Sequence, residues 1–87
     1  MTTLHDVYIN LGTIIRAALK AHRRTQHELA QQLGCSERTA HRKLNGQHGF
    51  KITELVDAAM WLGESVTDWL NAAGFDDYRA DCRKLAL

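Results

Sequence analysis

Residues 25–46, TQHELAQQLGCSERTAHRKLNG, decide the fold. Thr25 followed three residues later by Glu28 is a capping box, in which each side chain satisfies a free backbone amide at a helix start, so a helix begins at Gln26. It ends at Leu33, because Gly34 takes the left-handed conformation that stops a helix without steric cost. Ser36 then caps a helix of about nine residues that ends at Leu44, where Asn45 and Gly46 supply a second terminator. Two short helices separated only by Gly34, Cys35 and Ser36 must cross steeply, which is the geometry of a helix-turn-helix.

Outward from this stretch the helical period continues. Val7, Leu11, Ile14, Ile15 and Ala18 place a first helix from about Leu4 to His22, slightly weakened by Gly12. Gly46 to Lys51 reads as a loop. A fourth helix follows from about Ile52 to Leu62, with Ile52, Leu55, Ala59 and Leu62 on one inward stripe and Gly63 as its stop. Ser65 with Asp68 starts a short fifth helix carrying Val66, Trp69, Leu70 and Ala73, closed by Gly74. Phe75, Tyr78, Cys82 and Leu85, at spacings of three, four and three, form the apolar seam of a candidate sixth helix. The expected fold is all-α: one five-helix domain over residues 1–74 and a C-terminal tail helix over 75–87 that packs or dimerises.

Composition agrees. The 87 residues hold no proline and six glycines, enough chain for a single core built from helices and short turns. No apolar run approaches the roughly 18 residues of a membrane span, and Met1 to Asn10 lacks the order of a secretory signal, so a cytoplasmic protein without membrane contact is expected. Cys35 and Cys82 are far apart and read as free thiols. None of the five histidines has a helical i, i+4 partner, so no metal is expected. Cys35 with His41 lacks an orienting group and a substrate pocket, so no enzyme, cofactor or small-molecule substrate is expected either. Net charge is only +1, but it is unevenly spread. Residues 16–51 carry Arg16, Lys20, Arg23, Arg24, Arg38, Arg42, Lys43 and Lys51 against Glu28 and Glu37, whereas residues 52–87 hold seven acids and three bases. One face is therefore fitted to a polyanion and another avoids it.

With Gln26 opening the second helix, small Ala30 at the inter-helix contact, Gly34 at the turn, Ala40 buried in the third helix and Asn45-Gly46 at its end, the stretch from Leu11 to Leu70 resembles the phage repressor and Cro-like helix-turn-helix family. The resemblance implies a compact repressor-like bundle whose third helix enters the major groove of double-stranded DNA, and a phage-type transcription regulator, with an antitoxin as a near neighbour in function. Independently of it, Ala30 and Ala40 are short where two helix backbones meet, and Leu29, Leu33 and Leu44 face the core.

The outward positions of the third helix are Glu37, Arg38, His41 and Arg42, the candidates for base contact. Arg38 and Arg42, four apart on one face, suit bidentate bonds to guanine, and Glu37 suits a cytosine amino group. The family pattern places phosphate contacts at Gln26 and Asn45. Lys43, Lys51, Arg23 and Arg24 add nearby charge. Lys51 stands where family members often cap the fourth helix with serine or threonine, and Lys43 where an apolar residue is common, which leaves Leu44 to pack the end of the third helix.

A single recognition helix reads few base pairs, so a homodimer on a palindromic operator is expected. Trp61, Phe75, Tyr78 and Leu85 are the candidate interface, with packing of the tail within its own chain as the other reading of the same residues. The expected function is transcriptional repression by promoter occlusion, since the remaining length holds no effector domain. A protein-interaction module on the same bundle is the alternative.

Overall fold

A computed structural model describes residues 3–75 of the chain. Tyr78, Cys82 and Leu85, and with them the sixth helix that their spacing predicts, lie outside the described residues. Five helices run in order, α1 Leu4–Ala21, α2 Gln26–Leu33, α3 Glu37–Leu44, α4 Ile52–Leu62 and α5 Val66–Ala72, and no strand occurs among the described residues.

Hydroxyl caps set four of the five starts. Thr3, Thr25, Ser36 and Ser65 accept from the backbone N–H three residues on, at 3.1, 3.1, 3.1 and 3.4 Å. At α1 and α2 the carboxylate of Asp6 or Glu28 accepts in return from the cap's own N–H, at 3.0 and 3.1 Å. Those backbone bonds are the main reason both carboxyls lie below their ordinary pKa, because a hydrogen bond to the charged form favours it. Gly34 ends α2 at φ 68°, in the left-handed region. At the end of α1 the same region is taken by Arg23, at φ 57°, so that Arg24 N–H reaches the Leu19 carbonyl at 2.8 Å.

The core is formed by Val7, Leu11 and Ile15 of α1, Leu29 of α2, Leu44 of α3, Leu55, Ala58, Ala59 and Leu62 of α4, and Trp69 of α5. Ala30 and Ala40 are buried and Leu33 is partly so, as the spacing predicts. α1 packs on α3 and α5, and α2 on α3 and α4. Gly12 fixes the first of these approaches: a Cβ there would sit 1.9 Å from the backbone oxygen of Leu44. The residue that weakens α1 in isolation is what lets α1 lie against the end of α3.

Ile52 departs from the expected inward stripe and is 63 % exposed. The buried face of α4 is set by Leu55, Ala58, Ala59 and Leu62, and Ile52, in the first turn, falls at its edge. With Val56 and Met60 it forms an exposed apolar row at i, i+4, i+8.

The end of α3 is tied to the start of α4 by one carboxylate. Glu54 Oε2 accepts from the Lys43 ammonium, and Glu54 Oε1 accepts from Lys51 N–H at 2.8 Å. Both charged side chains are buried. Burial alone would raise the Glu54 pKa, but the bonds from Lys43 and from the Lys51 backbone, with the charges of both lysines, outweigh it and hold the carboxyl below its usual range. A lowered folded-state pKa means that this contribution is present above the unfolded carboxyl pKa and is lost as pH falls through the folded value. Glu54→Gln should therefore cost about 3 kcal/mol near neutral pH, since it leaves a buried ammonium without a counter-charge. The difference from wild type in urea denaturation should shrink toward acid pH, and the paired change Lys43→Met with Glu54→Leu should recover most of the loss.

Candidate nucleic-acid interface

α3 presents Glu37, Arg38 and His41 fully outward, with Arg42 half-buried beside them, while Ala40, Lys43 and Leu44 face inward. The side chains of Arg38 and Arg42 have no hydrogen-bond or ion-pair partner among the described residues, so two forked donor groups stand free on one side of the helix. Glu37 is steered from α2: its Oε2 lies 3.4 Å from His27 Nδ1, and His27 Nε2 lies 3.3 Å from Gln31 Nε2.

The start of α2 and the end of α3 are joined by polar contacts across the same exposed face. Gln26 Oε1 lies 3.2 Å from His41 Nδ1, Asn45 Nδ2 lies 3.0 Å from His41 Nε2, and Arg16 Nη2 donates to Asn45 Oδ1 at 2.5 Å. Gln26 and Asn45, which the family resemblance places at phosphates, are thus brought together through His41, a candidate base reader whose two ring nitrogens are both engaged. The Gln26 amide NH2 has no hydrogen-bond partner among the described residues and belongs to the first turn of α2, where backbone N–H groups and the helix dipole favour an anion.

The other expected contacts separate. Lys51 and Arg23 are exposed. Arg24 is occupied: its guanidinium stacks 5.5 Å from the Trp61 ring centroid and donates to Glu28 Oε2 at 3.2 Å. Lys43 is a correction, since its ammonium is buried against Glu54 and does not face the outer side of α3. The reason is helical phase: residue 43 lies on the inner side of α3 with Ala40 and Leu44. Trp61 is half-buried under Arg24 and packs against the core, and Phe75 is partly buried against the same core. Tyr78 and Leu85 lie outside the described residues.

Arg16 and His27 were not legible as parts of this face. Gly12 abuts Leu44, and Arg16 one turn on reaches Asn45, a pairing of residues 29 apart in the chain that no local signal marks.

The family described as BetR domain matches residues 7–81, which covers all of the site and most of α1. No curated protein and no solved structure matches the chain.

Arg23 combines an outward cation with a backbone angle that favours glycine. Arg23→Gly should raise stability in urea by up to about 1 kcal/mol through relief of the left-handed strain. A loss would show that the guanidinium makes contacts worth more than that strain.

Proposed function

The chain belongs to the BetR domain family, a small helix-turn-helix-like DNA-binding domain family, and from that premise we propose that it is a sequence-specific transcription regulator that reads the major groove with α3. One observation carries the proposal: among the described residues Arg38 and Arg42 have no side-chain partner, on the outer side of a helix whose inner side is locked into the core. A forked guanidinium matches O6 and N7 of guanine. Glu37, held from α2 by His27, accepts from a cytosine amino group. α2 lies across the backbone, where Gln26 and the first amides of α2 hold one phosphate, and Asn45, Lys51 and Arg23 flank the contact. His41 serves the network that joins Gln26 to Asn45, and its nitrogens do not read bases. Occupation of a promoter by the folded unit excludes other proteins from the same groove, which is repression by occlusion. The chain acts as a binder and not as a catalyst.

Two copies on a two-fold operator complete the reading, because one α3 spans too few base pairs for a unique site. Trp61, held beneath Arg24, is a poor choice for the contact surface. The exposed row Ile52, Val56 and Met60 supports self-association instead.

Selection of sites from random duplex DNA should return a short guanine-containing half-site. Arg38→Ala and Arg42→Ala should each lose about 1–3 kcal/mol at that site with little change on unrelated DNA, and Lys51→Ala should lower the slope of log affinity against log salt by about 0.9. A uniform loss on every sequence would make both arginines phosphate anchors. In sedimentation, Val56→Lys and Met60→Lys should abolish any dimer of the chain and weaken binding to the full palindrome far more than to the half-site, as the tethered second copy is lost. A wild-type chain that is monomeric alone and on its best site would remove the dimer from the proposal.

A further inference from the structure

The contacts joining α1, α2 and α3 fix their own direction. Gln26 Oε1 is an oxygen and can only accept, so His41 Nδ1, 3.2 Å away, carries the proton and donates. In the neutral ring Nε2 then holds the lone pair, which accepts from Asn45 Nδ2 at 3.0 Å. Donation from Nδ2 turns Asn45 Oδ1 away from His41 and toward the Arg16 guanidinium, which donates to it at 2.5 Å. Arg16, a donor with no acceptor capacity, is the one member of the series that cannot be reversed. Every donor therefore points the same way, from Arg16 through Asn45 and His41 to Gln26. The oxygen of the Gln26 amide is engaged by His41, and its NH2, in the first turn of α2, has no hydrogen-bond partner among the described residues.

We propose that Arg16, on α1 and outside the helix-turn-helix, is a positioning residue of the DNA face: through Asn45 and His41 it sets the amide orientation of Gln26, so that a donor and not an acceptor meets the phosphate. The inference rests on the DNA-binding reading and adds to it a residue that touches no DNA. A Gln26 amide turned the other way would present its oxygen to an anion and cost the contact. Orientation fixed before binding also spares the complex the freezing of three rotatable side chains.

The tautomer of His41 tests the relay without DNA. In ring 15N spectra of the full chain at pH about 8, where an ordinary imidazole is neutral, His41 should carry its proton on Nδ1, against the Nε2–H form that free histidine favours in water. Arg16→Met should shift it toward the Nε2–H form, Arg16→Lys, which keeps a donor, should restore the wild-type spectrum, and Asn45→Asp, which cannot donate to Nε2, should disturb it even with Arg16 present. A wild-type His41 protonated on Nε2, or a spectrum unmoved by Arg16→Met in a chain whose melting is unchanged, overturns the proposal.

On the selected site, Arg16→Met should weaken binding about three- to tenfold, the worth of roughly one hydrogen bond, with no change in salt slope. A slope lowered by about 0.9 would make Arg16 a phosphate contact and overturn the positioning role. Complete absence of DNA binding by the wild-type chain would sink the functional reading alone, since the ring spectra judge the relay separately.

Discussion

The carboxylate of Glu54 is the point on which the exposed face depends. It holds the Lys43 ammonium with one oxygen and the Lys51 amide with the other, at the junction where α3 has ended and α4 has begun. α3 is only eight residues long, too short to persist on its own in water, so its order comes from what grips its inner side. Ala40 and Leu44 supply apolar packing. The ion pair supplies direction, because a buried ammonium tolerates one arrangement of partners far better than any other. With α3 held in rotation about its axis, the outward projection of Arg38 and Arg42 follows.

Gly12 sets the complementary restraint from the other side. Its missing side chain lets α1 rest on the last carbonyl of α3, and that contact brings Arg16 within reach of Asn45. The same closeness puts α1 in communication with the exposed side of α3, although none of its residues belongs to the two helices of the motif. A scaffold helix and a site helix are here one packed object.

Much of this was legible in the sequence because the deciding signals are local. Capping hydroxyls at Thr25, Ser36 and Ser65, with Gly34 and Gly63 as stops, fix helix ends by interactions spanning three to five residues, and the expected ends differ from those found by one residue, at His22 of α1 and Ala73 of α5. What was not legible depends on pairs distant in the chain. Lys43 counts as a surface cation until Glu54, on another helix, is seen to neutralise it. Trp61 looks like unclaimed apolar surface until Arg24 is found over its face. Ile52 fits the period of the inward stripe, yet the face that Leu55, Ala58, Ala59 and Leu62 bury leaves it at the edge, in solvent. The role of Arg16 likewise arises only where α1, α2 and α3 meet, and that of His27 where α2 faces α3.

The division of α3 into a gripped side and a free side has an evolutionary reading. Ala40, Lys43 and Leu44 carry its attachment, whereas positions 37, 38 and 42 contribute nothing to the core. Substitutions at those three positions therefore leave the attachment of α3 to the core in place, so the chemistry of its outer side can change while the scaffold stays intact. Position 41 is the exception on that face, since its two ring nitrogens contact Gln26 and Asn45 at 3.2 and 3.0 Å. The outer side of α3 is therefore freer to change at 37, 38 and 42 than at 41.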